Sequence, residues 1–325
     1  MTIDQGLWWN DIALTARLIM LQMRYLTYLD ALARERHFAR AANVCHVTQP
    51  TLSAGIKQLE DTFGVLIVER GQRYQQLTAE GEQVLAWARR MLADYDSLVQ
   101  SLHDSRTQLE GQLRLGVIPT ALPIVRCLST QFVEHYPHAS LSIQSCTSDA
   151  IQQGIDDFGF DAGITYLDNE PLNRVRRYPL YRERYFLVGP PAVKLTHTDS
   201  IDWQAAASYR LCLLTQDMQN RRILDARFDE VGVKPAHRME TDSLTTLLSH
   251  VRYGGWYSIL PGASLSLLTG GSPLSIVPLP TLITDPLIGL IASARDPLPP
   301  VTHALFSLAG ERDWQQEVEP PTLTT

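Results

Sequence analysis

The segment TQPTLSAGIKQLEDTFG, residues 48–64, constrains the fold of this 325-residue chain more tightly than any other stretch. Thr48 carries the short hydroxyl that accepts from an unpaired N–H at a helix start, Pro50 is tolerated only in a first turn, and Gly64 supplies a left-handed stop. Between these marks Leu52, Ile56, Leu59 and Phe63 recur at intervals of four, three and four, which predicts a helix with one buried stripe. Away from the stripe lie Gln49, Pro50, Thr51, Ser53 and Lys57, a hydrogen-bonding face with a single positive charge.

The preceding sequence supplies a packing partner. YLTYLDALARERHF, from Tyr25, sets Leu26, Leu29, Leu32 and Ala33 on one helix face, and a short second helix runs from Ala39 to about Cys45. Two helices joined by a tight polar turn, the latter opening on an uncharged polar surface, form a helix-turn-helix whose second helix suits the major groove. VLIVERGQRYQQLT then alternates, turns at Gly71 and Gln72 and returns, as a two-stranded wing carrying Arg70 and Arg73 toward phosphates or the minor groove. The charge distribution points the same way. The net charge is -7, yet residues 24–90 hold nine Lys or Arg against seven Asp or Glu, while residues 91–325 hold 18 against 26. Screening over ~8 Å lets the local balance outweigh the distant one, which permits a polyanion partner at the front of the chain only, and with the helix-turn-helix the expected polyanion is double-stranded DNA.

FARAANVCHVTQPTLSAGIKQLEDTFGVLIVERGQRYQQLTAEGEQVL resembles the winged helix-turn-helix of LysR-type transcriptional regulators, in which F-x-R-A-A, T/S-Q-P-x-L-S, I-x-x-L-E, G-V, E-R and L-T-x-x-G follow in that order. The resemblance implies DNA contacts at Gln49, Pro50 and Ser53, and at Arg73 in the wing. Ala54 stands where many members place Arg, which removes a guanine reader worth ~1–3 kcal/mol of discrimination. The module is most similar to the peroxide-sensing members, which share RAAxxCHVxQPTLS. Their reactive and resolving cysteines fall near positions that hold Gln219 and Phe228 here, so a thiol-based redox regulator is carried only as an alternative.

From Leu85 the residues Leu85, Ala88, Leu92, Tyr95, Val99, Leu102, Arg106 and Leu109 alternate spacings of three and four, the pattern of a coiled-coil seam. About 27 residues of helix would span ~40 Å, more than a small domain needs. A homodimer built on Leu85, Leu92, Tyr95, Val99 and Leu102 is therefore expected. The resemblance adds a homotetramer, and RNA polymerase is a further candidate partner.

After Gly111 strands and helices alternate: QLRLGVIPT, ALPIVRCLSTQFVEHYP, SLSIQS, SDAIQQGIDDF and DAGITY, then a second series through YRLCLL, NRRILDARFDEVG, HRMET, DSLTTLLSHVRYGG and WYSILP. This predicts a doubly wound α/β unit in two lobes. LSIVPL and PLIGLIA are expected to return to the first lobe, which places the hinge near Phe186–Pro190 and near Pro261. It resembles the effector domain of the same regulators, a periplasmic-binding-protein-like (type II) fold. The expected organisation is an N-terminal extension over 1–22, a winged helix-turn-helix over 23–84, a linker helix over 85–112, a first effector lobe over 113–187 and 262–312, a second over 188–261, and a tail over 313–325. Met23 is an alternative start.

A ligand is expected beyond the carboxyl ends of the strands, at Thr120, Thr147, Ser148 and Tyr166 on one side and Gln216, Asp217 and Met218 on the other. Hydroxyls at helix N-termini favour a small anion such as a carboxylate, while Arg221 and Arg222 read as surface-helix arginines. No HExxH, GxSxG, Walker loop or GxGxxG occurs, so no enzyme is expected, and an unrecognised ligand-binding enzyme fused to a DNA reader is kept as the contrast. No metal or cofactor is expected. The four cysteines, Cys45, Cys127, Cys146 and Cys212, form no CxxC pair. With no membrane span and no export signal, the expected compartment is the cytoplasm.

Overall fold

The computed structural model describes residues 23–69, 76–102, 109–168, 171–191, 200–235, 239–268, 273–281 and 285–318. The chain divides into two compact units, residues 1–102 and 103–325.

The first unit opens with α1, a helix over residues 23–35, followed by α2 (Phe38–Val44) and α3 (Gln49–Phe63). Leu26, Leu29 and Leu32 are buried against Leu52, Ile56 and Leu59, so both periodic stripes form one core. Thr48 caps α3, its hydroxyl accepting from the Thr51 N–H at 3.4 Å, and Gly64 ends it at φ 70°. Phe63 departs from the expected stripe: it is 49% exposed, and among the described residues it belongs to no core. The base of the wing is present, with Val68 bridging Leu77 antiparallel and the Glu69 N–H donating to the Gln76 carbonyl at 3.1 Å. Arg70 and Arg73 lie outside the described residues.

Helix α4 (Ala79–Leu102) starts earlier than its seam suggests and splits that seam in two. Leu85 and Ala88 are buried in the core of their own unit, so Leu85 is not free for a partner, while Leu92 packs beside them and stays half-buried. Tyr95, Val99 and Leu102 are exposed, together with Trp87, Met91 and Leu98. A heptad pattern records which face is apolar but not whose core it enters. Residues 103–108, Arg106 among them, are outside the described residues, and Leu109 packs against the core of the second unit.

The second unit contains a five-stranded sheet of β1 (Gly111–Val117), β2 (Ala139–Ser145), β3 (Ala162–Tyr166), β4 (Val175–Arg182) and β10 (Leu287–Ser293) in the order β2-β1-β3-β10-β4. The sheet is mixed: β1 pairs parallel with β2 and β3, whereas β10 runs antiparallel to β3 and β4. A second group of strands holds β5 (Tyr185–Gly189) between β8 (Ser258–Pro261) and β9 (Ser275–Pro278), all antiparallel. Next to it lies the parallel pair β6 (Cys212–Leu214) and β7 (Met239–Thr241), joined to β8's side through the Leu211–Tyr257 bridge. Helices α5 (Leu122–His135), α6 (Ser148–Asp156), α7 (Trp203–Ala206), α8 (Gln219–Glu230), α9 (Leu244–Tyr253), α10 (Gly262–Leu265) and α11 (Pro300–Ala309) connect and cover the strands.

Three expected boundaries change. The chain leaves the first sheet at Glu183–Arg184, because β5 already pairs in the second, so the first lobe ends before 187. It returns after Pro278: β9 lies beside β5, not in the first lobe, and only β10 of the two late strands goes back. At Pro261 the chain does touch the first sheet's layer, since α10 packs on α5, before turning back into β9. The third change is the tail, which includes α12 (Trp314–Val318), with Trp314 and Val318 buried and the Trp314 indole N–H donating to the Ala309 carbonyl at 2.7 Å.

Candidate functional site

In the first unit the turn between α2 and α3 fixes how α3 is presented. His46 takes φ 54°, and the Val47 N–H returns to the Ala42 carbonyl at 2.9 Å, so the chain enters α3 without a free strand between the helices. Gln49, Pro50, Thr51 and Lys57 are exposed and Ser53 is half-buried, all on the side of α3 away from its core stripe. Thr51 is partly committed already, since its hydroxyl pairs with that of Thr48 at 2.8 Å inside the cap. Gln49 has no such local engagement and stands in the first turn, where side chains of a helix in the major groove meet base edges.

In the second unit a narrow cleft, with room as it stands for about one water-sized molecule (≈ 10 Å³), is lined by Ile118, Pro119, Thr120, Thr147, Ser148, Tyr166, Leu214, Met218, Gln219 and Asn220. The first six come from the ends of β1 and β3 and the start of α6. The last four come from the end of β6 and the start of α8. Thr120, Thr147, Ser148, Tyr166 and Met218 are thus brought together as the sequence suggests. Gln216 and Asp217 are not: both are exposed and outside the cleft, because the loop ends at Met218 and α8 turns its own first residues inward.

Gln219 and Asn220, buried at that helix start, are the residues that sequence reasoning missed. Asn220 shares a helix face with Ile223, Leu224 and Arg227, all buried, and that spacing was a readable signal.

Thr147 is the N-cap of α6, accepting from the Ala150 N–H at 3.2 Å, whereas the neighbouring Ser148 hydroxyl is buried without a partner. The Asn220 side-chain N–H₂ also makes no hydrogen bond, although it lies near the Tyr166 hydroxyl. Buried donors left unpaired are costly unless a ligand or water satisfies them. No charged side chain lines the cleft. Arg221, far from being a surface residue, is 1% exposed and points away into ion pairs with Asp225 and Glu240, both at 2.8 Å, while donating to the Leu214 carbonyl at 2.9 Å.

The thiols bear on the redox alternative. Burial pushes the Cys212 thiol up to about 11. Burial likewise raises Cys45, Cys127 and Cys146, helped at Cys45 by Asp30 and at Cys127 by Glu317. A thiol that reacts with peroxide must be a thiolate, and every shift here opposes ionisation. Among the described residues no three His, Cys, Asp or Glu side chains gather as a metal site, and no helix is long and apolar enough to cross a membrane.

Comparison with known proteins agrees with both halves of this arrangement. Residues 23–82 match the bacterial regulatory helix-turn-helix protein, lysR family, and residues 106–314 match the LysR substrate binding domain. The DNA-binding transcriptional dual regulator OxyR of Escherichia coli K12 is 27% identical over 281 residues, 86% of this chain and 91% of the relative. The transcriptional regulator EstR of Acinetobacter baylyi is 29% identical over 251 residues, 75% and 81% of the two chains. Among solved structures, a full-length OxyR variant from Pseudomonas aeruginosa superposes with TM-score 0.74 at 26% identity, covering 91% of this chain and 99% of that one. CbnR complexed with its target DNA shares the fold with TM-score 0.62 at 20% identity, covering 89% and 99%. With a helix-turn-helix reader at one end and a substrate-binding unit over most of the remainder, the chain belongs to the LysR family of DNA-binding transcriptional regulators.

Proposed function

We propose that this regulator binds a small acceptor-rich molecule, a carboxylate first among candidates, in the cleft between β1, β3, α6 and α8, and that occupancy changes how its helix-turn-helix holds DNA. The observation that carries this reading is the pair of buried, unsatisfied donors, Ser148 Oγ and Asn220 Nδ2, on opposite sides of one uncharged cleft. A carboxylate there would be held by hydroxyl and amide donors and by the N-terminus of α6, without an ion pair. Occupancy can gate DNA binding only through differential affinity for two arrangements of the protein. The expected result is that a panel of small carboxylates contains one that raises the melting temperature, and that Ser148→Ala weakens its binding about tenfold, the value of one hydrogen bond. Because Ser148 Oγ has no internal partner, the unliganded variant should melt no lower than wild type. Unchanged affinity in Ser148→Ala would remove the cleft from the reading.

On the DNA side, Gln49, Pro50, Thr51, Ser53 and Lys57 form the reading face, and Arg70 and Arg73, from the sequence alone, reach the backbone beside it. Gln49→Ala should lower affinity for the operator about 10- to 100-fold while leaving random duplex bound as before, because a lost base contact costs ~1–3 kcal/mol and phosphate contacts carry no sequence information. Electrophoretic retardation with operator and scrambled duplexes measures both. An equal loss on the two would make Gln49 a mere surface residue. Trp87, Met91, Tyr95, Leu98, Val99 and Leu102 on α4 form the surface through which two copies pair, in place of the seam that begins at Leu85. Such a dimer, or a tetramer built from it, would act in the cytoplasm where its operator lies.

A further inference from the structure

The two crossings between the sheets meet at one residue. Glu183 stands where β4 gives way to β5, and its N–H donates to the Pro286 carbonyl at 2.9 Å, tying the outward crossing to the returning one. The neighbouring links are of the same kind: the Gly262 N–H reaches the Arg184 carbonyl and the Leu279 N–H the Tyr185 carbonyl, each at 2.9 Å.

Glu183 is 1% exposed, and among the described residues no cation forms an ion pair with it. The titratable groups around it come from four segments: Tyr166 of β3, Tyr181 of β4, Tyr185 of β5, and Asp285 ahead of β10. Tyr185 donates to Oε2 at 2.8 Å and Tyr166 to the same oxygen at 3.3 Å, while Tyr166 in turn contacts Thr120 at 3.5 Å on the cleft wall. Oε1 and the Tyr181 hydroxyl are both buried with no partner. Of the neighbouring cations, Arg182 donates to the Asp285 carbonyl at 2.6 Å, Arg227 lies 4.0 Å from the Asp285 carboxylate, and Arg184, the next residue in the chain, is engaged as well.

We infer that Glu183 is a proton-held latch of the hinge: as a neutral acid it closes the two crossings together, and loss of its proton to solvent loosens them and the cleft wall that Tyr166 and Thr120 form. A carboxylate whose Oε1 meets no donor among the described residues is strongly penalised, and a neutral carboxyl at the same place is penalised far less. Burial accordingly raises the Glu183 acid from 4.5 to about 7, with Asp285 adding to the rise and the hydroxyls of Tyr185, Tyr166 and Thr120 opposing it. The sign follows. Between those two values the closed hinge keeps a proton that an opened, solvated Glu183 has shed, so closure weakens as pH rises and levels off above about 7.

The test needs neither ligand nor DNA, so it stands or falls apart from the function proposed above. Hydrogen exchange in the full-length chain is followed at the amides of Glu183, Gly262 and Leu279, in wild type and Glu183→Gln, and their ratio at each pH cancels the intrinsic rate. From about pH 6 to about pH 8.5 that ratio should grow about tenfold, as linkage gives for an acid moving from its ordinary value to one near neutrality. A constant ratio would overturn the latch. Should Glu183→Gln not fold, Tyr185→Phe decides: removing a donor that favours the charged form should move the pH at which faster hinge exchange levels off to above about 7, with the onset unchanged because the opened acid titrates as before. A levelling-off that stays at the wild-type pH would equally refute the inference.

Discussion

Gly81→Ala should abolish DNA retention. A Cβ at this position in the first turn of α4 would fall far inside van der Waals contact of the Ile67 carbonyl oxygen. That oxygen is not free to move, because it accepts the Thr78 N–H at 3.0 Å, while the Thr78 hydroxyl donates to the Leu66 carbonyl at 2.5 Å and accepts the Gly81 N–H at 2.9 Å. Nor can the strand retreat, since Glu60 of α3 holds the Ile67 and Val68 N–H groups at 2.9 and 3.3 Å. Relief therefore displaces the wing's base from α3. Overpacking of this kind costs ~1–3 kcal/mol or more, and here the neighbour is backbone, so the upper end applies. Operator affinity should fall at least about 100-fold, the equivalent of ~3 kcal/mol. Retardation assays and circular dichroism of the full chain check the two parts, and a variant that binds and melts like wild type would show that α4 does not fix the wing.

The second large effect is expected in the other unit. Arg221 joins α8 to both strands beneath it: Asp225 lies on its own helix, Glu240 on β7, and the Leu214 carbonyl ends β6. Arg221→Ala leaves two carboxylates facing each other and an unfilled space. Removing one member of a fully buried pair costs ~3–5 kcal/mol, and because Asp225 and Glu240 keep about a third of their exposure the expected loss is smaller, about 2–3 kcal/mol. At ~2–4 °C per kcal/mol for a unit of this size, the effector unit should melt about 5–10 °C lower. Arg222→Ala, one position on, should change melting less, since Arg222 is half-buried where Arg221 is fully buried, and its guanidinium meets the neutral Gln219 side chain and the exposed Asp217 carbonyl. Equal shifts for the two arginines would deny Arg221 its anchoring role.

What could be read in advance depended on the range of the cause. The cap at Thr48, the stripe of Leu52, Ile56 and Leu59, and the stop at Gly64 depend on residues within one or two turns, and all three are where the sequence puts them. Thr120, Ser148 and Tyr166 were found because strand ends and helix starts are local signals that alternate regularly in an α/β unit. The pairing of β9 was not legible: SIVP alternates correctly for either sheet, and its partner β5 lies some 90 residues earlier in the chain. Arg221 misled for a different reason. Its charge suggests a surface position, yet it precedes Leu224 by three and Phe228 by seven, on the buried face, and its counter-charge at Glu240 is on another element. Leu85 and Leu92 show the same limit, since apolar spacing does not say which neighbour takes up the face.

One feature of the chain path bears on how such proteins change. The described strands from Tyr185 to Pro278 form an excursion whose first and last members lie side by side, with Phe186 opposite Pro278, while α10 within it packs back on α5. It is a guest housed between two neighbouring doors of its host. Replacing that insert with the counterpart from a relative requires matching two adjacent junctions and the α10–α5 contact, and would exchange the β6 and α8 wall of the cleft while the β1, β3 and α6 wall stays in place.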